Sequence, residues 1–169
     1  MGTRGLVGFK TKKGLTARYN HWDSYYSELG NDVVEMMLGG DVSCLFDLTK
    51  DNTEEYKEFL FDGLFCEYAY IYDNENDMLL VFKGWFNKPQ IKNHKGYDGK
   101  ESDGTKKSWY CHLVCKIPNK KSSRAKWKKL LATQKKRYED ELADNVYWER
   151  EIFNEKITNQ DLKILVGGK

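Results

Sequence analysis

Apolar and polar positions alternate near the start of the chain with the period of two that a half-buried strand requires. Gly5-Leu6-Val7-Gly8-Phe9-Lys10-Thr11 reads as one strand, Lys12-Lys13-Gly14 as a turn, and residues 15–20 as the hairpin partner. On that second strand Leu15, Ala17 and Tyr19 share one face, and Thr16, Arg18 and Asn20 the other. The pattern then turns helical over Val33, Val34, Met36, Met37 and Leu38, with Asn31 or Asp32 as cap and Gly39-Gly40 as stop. A second helix is predicted from Asn52 or Thr53 to about Phe61, where Glu54 and Glu55 favour the positive helix end. Residues 66–72 and 78–84 form the clearest hairpin, joined by Asp73-Asn74-Glu75-Asn76-Asp77. Residues 108–117 read as a further strand closed by Pro118. Trp127, Leu130, Leu131, Tyr138 and Leu142 keep helical spacing over residues 122–144. Trp148, Ile152 and Phe153 extend that helix or begin another, and Leu162, Ile164, Leu165 and Val166 suggest a final strand.

Hairpin-joined strands followed by helices predict an α+β fold: a mainly antiparallel sheet with helices packed on it and a long basic C-terminal helix. The length, 169 residues, predicts a single domain over residues 1–169. Residues 87–107 are polar and rich in Lys, Gly and Asp, which predicts a long mobile loop. No Gly-rich phosphate loop of dinucleotide or P-loop spacing is present.

Charge changes this picture. Lys plus Arg is 28 and Asp plus Glu 26, a formal net charge of +2, yet the two signs are segregated. Residues 41–77 hold eleven acids and two bases, whereas residues 116–137 hold ten bases and no acid. The basic run neutralises phosphates of nucleic acid or of a smaller anion, or is a solvated face that complements the acidic half within the chain or across a homo-oligomer. No run of about eighteen apolar residues exists, which predicts no membrane span. The chain opens directly into strand-like sequence, so no signal peptide is expected and a cytoplasmic location is. The cysteines, Cys44, Cys66, Cys111 and Cys115, are then expected as reduced thiols. Cys111, His112 and Cys115 suggest zinc, but no second close pair accompanies them. Strand alternation places Cys111 and Cys115 on one face and His112 on the other, so neither a metal nor a cofactor is expected.

The densest polar-aromatic cluster is Tyr19-Asn20-His21-Trp22-Asp23-Ser24-Tyr25-Tyr26, at the exit of the second strand. His21 is a candidate acid or base, with Asp23 or Asn20 to orient its ring. Tyr19 and Trp22 are candidate stacking surfaces for a base. Arg4 lies roughly opposite Tyr19 across the hairpin, which brings a fork-shaped phosphate binder to the His21 end. The candidate catalytic residues are thus His21 and Asp23, and the candidate ligand-binding residues Thr3, Arg4, Tyr19, Asn20 and Trp22. The bland alternative makes His21 a hydrogen-bonded corner residue and Asp23-Ser24 a cap.

Thr3-Arg4-Gly5, Gly8-Phe9, the box from Tyr19 to Tyr25, Leu29-Gly30 and the Glu67-to-Gly84 hairpin together resemble a family of small bacterial and phage proteins. The resemblance covers about half the chain, residues 3–30 and 67–84, and the family's Pro after the box is Tyr26 here. The cluster itself suggests a small phosphorylated ligand, such as a cyclic or ADP-ribose-type nucleotide signal: aromatic rings stack on bases, Arg4 and lysines neutralise phosphate, and His21 and Asp23 hold the ligand or help to hydrolyse it. A phage origin implies an inhibitor of host nucleotide immune signalling, acting in the host cytoplasm. The opening is also similar to N-terminal nucleophile hydrolases, which implies an amidohydrolase if processing exposes Thr3. The third expectation is an interaction protein that uses its basic helix 122–137 on nucleic acid or an acidic partner.

Overall fold

The structure is a computed structural model and describes residues 3–50, 58–139 and 158–166. The strands are β1 (Gly5–Thr11), β2 (Gly14–Asn20), β3 (Tyr68–Asp73), β4 (Met78–Phe86), β5 (Tyr97–Lys100) and β6 (Lys106–Pro118). The helices are α1 (Asn31–Leu38), α2 (Val42–Thr49) and α3 (Ser123–Glu139), with a π-helical turn at Tyr26–Gly30 and a 3-10 turn at Lys163–Val166. No helix among the described residues is long and apolar enough to cross a membrane.

The fold is α+β, built on a six-stranded sheet in the order β2-β1-β3-β4-β6-β5. That sheet is mixed, which corrects the expectation of a mainly antiparallel one: β1 pairs antiparallel with β2 and parallel with β3, from Gly5 opposite Tyr68 to Lys10 opposite Asp73. Hairpin signals account for β1–β2 and β3–β4. They say nothing of how one hairpin meets the next. Between β2 and β3 the chain is long enough to return and lay β3 alongside β1 in the same direction. Both strands at this junction are central and lined by buried positions, the apolar runs expected where a sheet is covered on both faces.

On one face Val7, Phe9, Tyr68, Tyr70, Tyr72 and Val81 meet Val33, Val34 and Met37 of α1, Leu45 of α2, and Trp127 and Leu130 of α3. On the other, Leu6, Ala69, Ile71, Leu80, Phe82 and Leu113 meet Leu60, Leu162, Ile164 and Leu165. The period of two along β3 sorts its side chains between these cores, three tyrosines to the helices and Ala69 and Ile71 away from them.

Two irregularities in β4 and β6 correct the strand reading. The register steps from Val81–Cys115 to Phe82–Leu113, so β6 carries an extra residue. That bulge sends Cys115 to the helix-covered core and Cys111 to the opposite one, rather than both to one face. The second bulge, between Lys83 and Phe86, holds Trp85 at a φ of 70° and pushes its ring outward.

The long basic C-terminal helix is not borne out. α3 runs over Ser123–Glu139 and does not close the chain; the last described segment, residues 158–166, folds back under the sheet. There Lys163–Val166 makes a 3-10 turn where a strand was expected, because Leu162, Ile164 and Leu165 all fill one apolar site that alternation would have split. Residues 140–144 of the predicted helix, and Trp148, Ile152 and Phe153, lie outside the described residues, as do 52–57 of the predicted second helix. α2 was not anticipated at all. Residues 87–107 are tied down rather than loose: Gln90 exchanges two hydrogen bonds with the Leu113 backbone, Lys95 N–H donates to Leu165 at 2.9 Å, and β5 pairs with β6.

Candidate functional site

The β1–β2 ladder ends with Gly5 opposite Asn20 and pairs Tyr19 with Leu6, so Arg4 lies beyond the paired residues and not opposite Tyr19, which corrects the hairpin reading by two positions. Half of the box that follows is a staple. Ser24 is fully buried; its N–H donates to the Thr3 carbonyl at 3.2 Å, and its own carbonyl accepts from Tyr70 Oη at 2.8 Å. Asn20 Nδ2 donates to Ser24 Oγ at 2.8 Å and to the Trp22 carbonyl. Gly5 is obligatory beneath this staple: a Cβ there would lie 2.6 Å from Ser24 Cβ and 2.9 Å from the Tyr68 carbonyl. Thr3 is buried with it, at 6% exposure.

The other half of the box faces water. His21 is exposed, its Nδ1 2.7 Å from the Tyr19 hydroxyl, and its ring stands edge-on to Trp22 with centroids 4.4 Å apart. Trp22 is 61% exposed. Tyr19 in turn packs edge-on against Phe59. Asp23 sits at a φ of 52° and its carbonyl accepts from Leu29 N–H, which starts the π-helical turn. The described hydrogen bonds join His21 to Tyr19 and not to Asp23. Half-buried Tyr19 and exposed His21 and Trp22 therefore form one contiguous cluster of rings, whereas Thr3 and Asn20 belong to the staple.

Arg4 leads to a second group that sequence reasoning missed. Its backbone N–H donates to Glu67 Oε2 at 2.7 Å, which occupies that carboxylate and leaves the guanidinium 4.4 Å over the Phe65 ring. Phe65 lies 6.4 Å from Tyr97, nearly perpendicular to it. Tyr97 is directly opposite Trp109 in the β5–β6 ladder, and Lys107 Nζ stands 4.2 Å over the Trp109 ring. Lys95 Nζ lies 5.3 Å over Phe61 alongside. Trp85 anchors the border by donating from Nε1 to the Leu64 carbonyl at 2.9 Å. Roughly two energetically significant cation–aromatic pairs are expected for a chain of this length. Four are found among the described residues, and two of them, Arg4 on Phe65 and Lys107 on Trp109, are joined through Tyr97 into one run of positive charge and flat rings. Only the aromatics scattered through the apolar stretch 59–65 and the polar stretch 85–109 could have signalled it, and they have no helical or strand period.

Beside β6 lies a buried histidine pair. His94 has its Nδ1 accepting from Gln90 N–H at 3.0 Å, and burial pushes its pKa down to about 4. His112 stacks on Phe86 at 3.8 Å and donates from Nε2 to the Lys88 carbonyl at 2.7 Å. The His112–Lys88 bond ties the 87–96 segment to the sheet, and the Gln90–His94 bond closes a turn within it. Among the described residues no group of three or more His, Cys, Asp or Glu side chains could hold a metal ion.

Comparison of the chain with protein-family models, with curated proteins and with solved structures finds no match.

Proposed function

We propose that the protein binds a small phosphorylated ligand of nucleotide type at the end of the sheet around Arg4, and holds it rather than cleaving it. The observation that carries this reading is the Arg4 guanidinium poised over Phe65, with exposed Tyr97 edge-on to that ring. An arginine fork suits a phosphate, and its outer plane and the neighbouring rings suit a base. Holding is favoured over cleavage because a metal-free phosphodiesterase needs an oriented acid–base pair. His21 has a tyrosine hydroxyl for its partner instead of a carboxylate. The amidohydrolase reading draws no support from Thr3, a buried part of the staple.

The ligand class is a cyclic or ADP-ribose-type nucleotide signal, and the phage origin that the resemblance implies makes the protein a sponge for it in the host cytoplasm. The test is a thermal-shift screen against cyclic dinucleotides, cyclic trinucleotides and ADP-ribose derivatives, with each hit incubated and weighed by mass spectrometry. The expected result is an upward shift with intact ligand, abolished by Arg4→Ala. A cleaved product would make the protein a hydrolase; no shift with any compound would overturn the nucleotide reading.

A further inference from the structure

The surface beyond Arg4 is longer than one nucleotide needs. It runs from the Arg4–Phe65 pair through Tyr97 to the Trp109–Lys107 pair, with a cation at each end and a ring between the two cation-capped rings. Tyr97 and Trp109 are directly opposed residues of an antiparallel pair, so their side chains share one face with Cβ atoms about 5 Å apart. Lys107, two residues before Trp109, shares that face too, and Glu101 3.3 Å from its Nζ is the acid that neighbours it. Asp98 and Ser108, bonded to one another, are the next pair along and turn to the opposite face.

A mononucleotide placed on Arg4 covers Phe65 or Tyr97 and leaves Trp109 and Lys107 unused. Successive rings accept successive bases, and separate cations accept successive phosphates. We infer that the ligand carries at least two bases and two phosphates, with Arg4 and Lys107 on different phosphates and the Tyr97–Trp109 pair stacked on the second base. This rests on the binding reading above and specifies its substrate class.

Isothermal titration of the full chain at low salt with 5′-phosphorylated deoxyadenosine mono-, di- and tetranucleotides tests it. The dinucleotide is expected to bind at least tenfold tighter than the mononucleotide. Lys107→Ala should remove most of that gain, and Lys107→Arg should retain it. Arg4→Ala should weaken both ligands. Equal affinity for mono- and dinucleotide, or a dinucleotide gain that survives Lys107→Ala, overturns the inference and leaves the binding reading standing. No binding of any length overturns the inference, and the binding reading falls with it only when the thermal-shift screen above also finds no ligand. Lys107 is partly exposed on β6 beside the edge strand, so an unchanged melting temperature verifies that its variants report on binding.

Discussion

Single side chains divide the box from Tyr19 to Tyr25 into two jobs that its sequence presents as one. Asn20 and Ser24 are spent on closing the corner over Gly5. Tyr19, His21 and Trp22 are left to solvent as a cluster of rings. The corner makes a prediction about Gly5. Gly5→Ala drives a methyl into Ser24 and the Tyr68 carbonyl, and should destabilise the protein by about 1–3 kcal/mol in urea denaturation. Adding Ser24→Gly should recover only part of that loss, because the backbone carbonyl remains in the way. Full tolerance of Gly5→Ala would mean that the corner is looser than its contacts. His21→Ala, by contrast, should leave the urea midpoint nearly unchanged, since its ring is exposed and its partner is another exposed-edge side chain.

At the level of elements, helix α3 is held by one residue more than by its apolar stripe. Trp127 is buried against Tyr26, its Nε1 donates to Asn31 Oδ1 at 2.6 Å, and Gly30 admits the ring: a Cβ at Gly30 would lie 2.8 Å from it. The rest of the helix is strongly polar, and its charges are partly engaged, as in the Arg124–Glu35 pair. That pair is exposed, so it is worth little to stability. Trp127→Ala should therefore cost about 3–5 kcal/mol, the range for removing a large buried ring, and Trp127→Phe markedly less. Equilibrium unfolding followed by circular dichroism distinguishes them. If both variants cost under about 1 kcal/mol, α3 is docked by other contacts. The bulges in β4 and β6 act at this same scale, exchanging the face of Cys115 and extruding Trp85 toward the aromatic surface.

For the molecule as a whole, acid is the informative stress. His94 is neutral and buried between Tyr110 and His112, with its pKa at about 4 against 6.5 when free. From pH 6.5 down to 4 the unfolded chain binds this proton and the folded chain does not. Stability is then complete above that window and falls by about 1.4 kcal/mol per pH unit as pH drops through it. The carboxylate of Asp161, held below its usual range by Lys116 and the Thr158 N–H and hydroxyl despite the opposing cost of burial, adds its own loss only at still lower pH. Urea midpoints measured from pH 7 to 4 should decline steadily in the wild type and far less in His94→Gln. An identical slope in both would place the acid sensitivity elsewhere. The expected site of first opening is the 87–96 segment, since His94 and His112 hold it to β6.

Local chemistry was readable wherever a pattern closes on itself within a few residues. The two hairpins, α1 with its Gly39-Gly40 stop and the α+β class all follow from alternation and turn residues. So does the corner at Tyr19–Tyr25, although not which of its members would be buried. What needed the folded chain was every relation between segments distant in sequence. Parallel pairing of β1 with β3 depends on how a long crossover returns, and no local propensity encodes that direction. The bulge that separates Cys111 from Cys115 inserts one residue that strand alternation cannot foresee. The return of residues 158–166 beneath the sheet depends on an apolar face that exists only once six strands are assembled. The aromatic surface shows the same logic at the site. Arg4, Phe65, Tyr97 and Lys107 lie far apart along the chain and acquire a common chemistry only because the sheet order brings them to one end.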